Sequence, residues 1–286
     1  MSTQITTAMV EQYKSNVLML AQQKGSKLRD TVRSEMVTGK NAYFERIGAV
    51  DMVDATSRHD DTPQIDTPHS RRRVSLTTSR FADLIDNADK VRTLIDPTSP
   101  YALNAAWAAG RKMDAVIVAA LAGNAYSGVA GATTVALPSA QKVAAASAGL
   151  TIAKLRSARE ILLGADVDLD MGATCIINPA GLTDLLSATE ITSSDYNTVK
   201  ALVQGTVDSF MGFKFIHTEL LDLDGSGDRR CIAWAKSGLH LGMWNDINTK
   251  ISERADKSYA TQVYVKGTFG ATRTEEGKVV EIICNL

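Results

Sequence analysis

The stretch "SPYALNAAWAAGRKMDAVIVAALAG", residues 99–123, constrains this chain more than any other. Serine followed by proline is a helix start: the hydroxyl caps free backbone N–H groups, and proline's fixed φ suits the first helical position. Leu103, Trp107, Gly110, Asp114, Ile117 and Leu121 then recur at helical spacing, and alanines with a Val-Ile-Val patch leave the helix apolar nearly all round. Such a helix needs cover on several sides, so the rest of the chain must build layers around it. It is expected to be the central helix of the fold.

Two β-prone runs precede it. "AYFERIGAVDMVDAT" (42–56) and "RRRVSLTTSRFADLI" (71–85) are rich in β-branched and aromatic residues and read as the strands of a long hairpin. Neither is apolar along a complete face, so the hairpin is not expected to bury itself in its own subunit. A two-stranded hairpin alone is marginal in water, and a neighbour must support it. The polar connection, residues 57–70, and the start of the second run bring together His59, Asp60, Asp61, Asp66, His69, Arg71, Arg72 and Arg73. A zinc site from His59, His69 and an aspartate is one reading, but a polar tip without a core does not preorganise metal ligands. Arginine forks match carboxylates, so contact with acidic groups of a partner protein is the better reading. The nearby aspartates, and the lack of interleaved aromatics in this stretch, argue against a base-stacking platform. Replacing Arg71, Arg72 and Arg73 with Ala is expected to leave the subunit folded and to impair assembly.

Elsewhere the pattern alternates. Thr6–Lys24 is an amphipathic helix candidate with Val10, Tyr13, Val17 and Leu20 on one face, inside a segment 1–40 that has no core of its own. Residues 124–141 read as a loop. Helices are expected at 149–163, 179–188 and 194–204. Strands are expected at 173–179, at 209–221 with Gly212 as a bulge, at 231–244, and at 258–284 with a turn at Glu276-Gly277.

Composition narrows the function. Across 286 residues, 31 Lys and Arg nearly cancel 32 Asp and Glu, whereas a chain devoted to nucleic acid is usually clearly basic. Cys175, Cys231 and Cys284 show no CxxC spacing and read as buried thiols. No apolar run is long enough to span a membrane, and the N-terminus lacks a secretory signal pattern. In "DLDGSGDRR", Asp222, Asp224, Ser226 and Gly227 fit the first half of a calcium loop, but Ala233 falls where its bidentate carboxylate belongs, so a hairpin turn is expected. Arg111 and Asp114, one helical turn apart, read as a structural ion pair. No catalytic, cofactor-binding or metal motif is found, and no cofactor is expected.

Taken in order, arm, hairpin, long apolar helix, α/β region and C-terminal strands resemble the major capsid proteins of tailed double-stranded DNA bacteriophages, with the Hong Kong 97 capsid fold. The resemblance rests on "DTP" at Asp61–Pro63, the Arg71–Arg73 cluster, "LID" at 84–86, Asp96-Pro97 and Tyr101. It continues through Arg111, Asp114, Ile117, Ala120 and Gly123, "INPAGLTDLL" at 177–186, "MGFKFIHTELL" at 211–221 and "GATRTEEGKVVEIIC" at 270–284. It implies an α+β chain with an N-terminal arm (1–40), an extended β-hairpin loop over the adjacent subunit (41–86), a peripheral domain (87–140) with a spine helix at 99–123, an axial domain (141–230), and strands returning to the peripheral domain (231–286). It further implies a non-enzymatic protein that assembles as hexamers and pentamers into an icosahedral shell around phage DNA, which it contacts non-specifically. A separate scaffolding protein, a portal protein and decoration proteins are the implied partners, with assembly in the host bacterial cytoplasm and no membrane. The alternatives are the shell of a bacterial cargo-loading nanocompartment, in the same fold, and a soluble metal-dependent enzyme using the 57–70 tip.

Overall fold

The computed structural model describes residues 22–54, 56–85, 98–169, 172–187 and 209–285. The helix candidates at 6–24, for the most part, and at 194–204 therefore lie outside the described residues. The chain divides into two compact units. Among the described residues three sheets carry the fold, of four, six and four strands.

The larger unit holds residues 27–77, 114–244 and 269–286. Its core is a six-stranded mixed sheet. In sequence order its strands are β7 (Lys142–Val143), β8 (Ala173–Ile177), β9 (Ser209–Phe210), β10 (Phe213–His217), β11 (Arg229–Ala235) and β14 (Val279–Cys284), and in space they run β7-β14-β11-β8-β10-β9. Every residue of β8 is buried, Thr174 among four apolar residues, as expected of a strand covered on both faces. Between β9 and β10, Met211 and Gly212 both have positive φ, 52° and 80°. The expected bulge at Gly212 is thus a tight hairpin turn, and glycine supplies one of its two left-handed positions. Leu155, Ala158 and Leu162, three and four apart, lie on the buried stripe of the helix between β7 and β8, Ile152–Gly164, whose Thr151 cap accepts from Lys154 N at 3.3 Å. Asn178 caps the helix Pro179–Ser187 in the same manner, accepting from Gly181 N at 2.9 Å. The turn at 222–230 is built on Asp224, whose carboxylate accepts from Ser226 N and Asp228 N at 2.8 and 2.9 Å; these bonds also hold its pKa low.

Part of the segment assigned to an arm is integral to this unit. Leu28 and Val32 are buried, Trp234 Nε1 donates to Thr31 O at 3.2 Å, and β1 (Arg33–Met36) pairs in parallel with β12 (Leu239–Arg254) from Arg33↔His240 to Met36↔Met243. An isolated sequence window does not reveal this, because Trp234 and β12 lie some 200 residues away in the chain.

The smaller unit holds, among described residues, 22–26, 78–85, 98–113 and 245–268. It contains β4 (Thr77–Ile85) apart from its first residue, the distal parts of β12 and β13 (Ala260–Arg273), and the first turns of the helix α1 (Thr98–Ala122). Gly110 of α1 is obligatory, because a Cβ there would stand 2.4 Å from the Gly25 carbonyl carbon. Over its whole length α1 buries one stripe, Ala105, Gly110, Met113, Asp114, Ile117, Val118 and Leu121, while Tyr101 and Leu103 stay exposed. It is covered on one face rather than all round. Alanine, small enough to be tolerated half-exposed, made the sequence look uniformly apolar.

Candidate functional site: the β2–β3 hairpin and its base

The expected hairpin exists but is shorter at both ends. β2 (Asn41–Ile47) and β3 (His69–Ser75) pair antiparallel from Asn41↔Ser75 to Ile47↔His69. Residues 77–85 belong to β4 in another sheet. The connection therefore runs from 48 to 68. Nor is the hairpin unsupported: β3 pairs with β5 (Ala125–Ser127) and β5 with β6 (Thr133–Val135), inside the region read as a loop. Alternation sends Phe44, Arg72 and Val74 inward, and all three are buried.

Arg72 sits only 2% exposed, which corrects its assignment to a neighbour contact. Its Nη2 donates to both carboxylate oxygens of Glu276, at 2.6 and 2.7 Å. Arg46 on β2 donates from Nη1 to Thr274 O at 2.6 Å and lies 3.9 Å from the same carboxylate. Arg273, fully buried, stands 3.7 Å from it through Nε. The rest of the Arg273 guanidinium donates to Leu121 O and Gly123 O at 3.0 and 2.8 Å, carbonyls that the end of α1 leaves open, and to Val135 O at 3.0 Å. Burial pushes the pKa of Arg46 and of Arg273 below the ordinary arginine value, and Arg72 adds repulsion to both, while Glu276 opposes the shift. One glutamate thus joins both hairpin strands to the C-terminal end of the long helix.

The outer face carries the other arginines. Arg71 pairs with Glu45 at 2.9 Å and lies over the Tyr43 ring at 5.6 Å. Arg73 lies over Tyr126 at 4.9 Å and donates to Ala130 O at 3.4 Å. Tyr43, Arg73 and Tyr126 stand directly opposite one another across three strands. Aromatics do interleave with the arginines, but across strands, where a linear reading cannot see them. Gly131, at φ 62°, lets its turn close on the Arg73 side chain, which a Cβ would meet at 2.6 Å. The alanine triple therefore removes contacts within the subunit, and the expectation that it leaves the fold untouched is corrected for Arg72.

Beyond the strands, residues 48–54 and 56–68 form neither helix nor strand. His59, Asp60, Asp61 and Asp66 are all exposed here, as are Val50, Met52 (96%), Val53 and Ile65. Asp60 accepts from Thr56 Oγ1 at 2.7 Å and Thr56 N at 2.9 Å, and these bonds hold its carboxyl below the ordinary range. His69, at the start of β3, borders with Glu45, Arg71 and Val129 a shallow hollow of about 280 Å³. Among the described residues, no three His, Cys, Asp or Glu side chains are grouped to hold a metal ion, and no helix is long and apolar enough to cross a membrane.

One further group lies against the base, and two others bond the chain near residues 22–28. His240 on β12 is buried against Phe44, ring centroids 4.2 Å apart, and neither ring nitrogen has a hydrogen-bond partner. Burial, then the charge of Arg33, lowers its pKa, with Glu35 opposing. Asp114 accepts from Lys27 N and Leu28 N at 2.9 and 3.2 Å, while Arg111 donates to Gln22 Oε1 and Gln23 O at 2.8 and 3.2 Å. Both residues therefore anchor the chain around residues 22–28, a role their spacing did not suggest. Cys175, Cys231 and Cys284 are free, buried thiols, and burial pushes Cys175 up.

A mixed helix-and-sheet chain with a supported hairpin base and an uncovered tip has the fold of phage capsid subunits. The capsid of cyanophage P-SCSP1u superposes with a TM-score of 0.76 at 15% identity, covering 98% of this chain and 94% of that one. For the capsid of Ralstonia phage GP4 the values are 0.74, 10%, 96% and 94%, and for the capsid of cyanophage Pam1 they are 0.73, 15%, 98% and 97%. No curated protein sequence matches the chain. The family described as phage capsid protein matches residues 5–286. The chain belongs to that family and is a structural protein of a phage shell.

Proposed function

We propose that this chain is the repeating subunit that assembles with its own copies, as hexamers and pentamers, into the icosahedral shell around phage double-stranded DNA, which it contacts without sequence preference. The observation that carries the reading is the tip 48–68, where Met52 and Val53 stand in solvent although β2 and β3 beneath them are anchored. A tip held out on a fixed base is suited to lie over a neighbouring copy. His59, Asp60, Asp61, Asp66 and His69 are its contact candidates, with Arg71 at the outer base. A separate scaffolding protein, a portal protein and decoration proteins are the partners this role calls for, and the host bacterial cytoplasm is the assembly site. Electron microscopy of the protein, expressed with its scaffolding partner, is expected to show closed polyhedral particles. Monomers or open sheets as the sole product would refute the proposal.

A further inference from the structure

The free edge of β1 and the hairpin tip are matched in backbone and in charge. β1 ends its sheet and, among the described residues, pairs on its β12 side alone. All four of its residues are exposed, Met36 to 65%. In a strand paired on one side, alternate residues aim N–H and C=O away from the partner, so β1 offers main-chain donors and acceptors to solvent. Residues 27–40 around it carry Lys27, Arg29, Arg33 and Lys40 against Asp30 and Glu35, four minus two, a net charge of +2.

The tip has the complementary character. Residues 48–54 belong to no strand and are exposed, with Val50, Met52 and Val53 set among Asp51 and Asp54. The tip 48–68 as a whole carries five aspartates (51, 54, 60, 61 and 66) against Arg58, a net charge of −4. Two tips repel each other, as do two β1 segments, whereas tip and β1 attract.

We propose that, in the assembled shell, residues 49–54 of one copy add as a strand to the free edge of β1 in a second copy. This rests on the shell reading above. Main-chain hydrogen bonds provide the affinity in such an addition, and alternate side chains fix the register. Here Asp51 is held on the face of β1 that carries Arg33, while Met52, on the opposite face, leaves water against Met36. In the isolated subunit water satisfies both backbones, which is why neither segment distorts the fold.

The test is a proline scan of residues 50–54, one substitution at a time, read as particle yield by sedimentation and electron microscopy. Proline removes one N–H, and in an added strand only every second N–H faces the partner. Yield is expected to fall about tenfold at alternate positions, the equivalent of about 1.4 kcal/mol, and to stay near wild type between them, with subunit melting temperature unchanged throughout. A charge exchange gives an independent readout. Arg33→Glu alone and Asp51→Lys/Asp54→Lys alone are each expected to lower the yield, and all three in one chain to restore it, since every contact then pairs one altered edge with one altered tip. A flat proline profile, or a combined variant no better than the worse parent, overturns strand addition. Wild-type particles are the separate control: without them the shell reading itself falls, whereas wild-type particles with unresponsive variants remove strand addition alone.

Discussion

Glu276→Gln removes the negative charge that Arg46, Arg72 and Arg273 share, while keeping shape and one acceptor. An ion pair at about 4 Å is worth about 4 kcal/mol at an effective dielectric constant of about 20. Glu276 holds Arg72 through two hydrogen bonds of 2.6 and 2.7 Å and attracts two further guanidiniums at 3.7 and 3.9 Å. Losing it leaves three like charges at the hairpin base, with Arg72 buried, and breaking a buried pair by removing one partner costs about 3–5 kcal/mol. The Glu276 side chain retains 19% exposure, so water screens part of this and the low end, about 3 kcal/mol, is expected. Urea unfolding of the unassembled subunit, followed by intrinsic fluorescence, measures it, and limited proteolysis should cut first between residues 48 and 68 and faster than in wild type. Replacing Arg72 with Met alongside Glu276→Leu should recover part of the loss, because neither partner is then left buried and alone. A cost below about 1 kcal/mol for Glu276→Gln would refute the claim that this carboxylate fixes the hairpin base.

Two other predictions test the same region and the long helix. His240 has a folded pKa below its unfolded value, so the unfolded chain binds more protons as pH falls; the stability is complete above about 6.5 and declines as pH drops through and below that value. Unfolding midpoints at pH 7.5 and 5.5 should show this decline, and His240→Phe should lessen it; an unaltered slope in that variant would assign the effect elsewhere. Gly110→Ala pits about 1 kcal/mol of helix propensity against a Cβ 2.4 Å from the Gly25 carbonyl carbon. Overpacking of this kind costs about 1–3 kcal/mol, so the variant should melt below wild type, and a higher melting temperature would show that the chain at residues 25–26 yields.

Local physical chemistry made much of this protein legible. Ser99-Pro100 and the spacing from Leu103 to Leu121 located the long helix to within a residue of Thr98–Ala122, and the largely apolar run at 173–177 marked a strand buried on both faces. These signals depend on neighbours within a few positions, which sequence displays directly. The hairpin was visible as two β-prone runs, but its register was not, because register depends on which side chains find cover.

Tertiary structure alone decided what the arginines do. Three consecutive residues of a strand point to alternate faces, so Arg72 turns inward to Glu276, 204 positions away, while Arg71 and Arg73 turn outward to Tyr43 and Tyr126. The sequence by itself determined that the charged, proline-bearing connection it placed at 57–70 would have no core; that the solvent-exposed tip begins already at residue 48 was decided by where β2 ends. Which charges remained there was fixed by the fold: strand alternation drew the arginines into the base or onto neighbouring strands and left a tip dominated by aspartate. The exposed tip is consequently acidic and apolar, and its physical complement is a strand edge, unpaired among the described residues, within the basic segment 27–40.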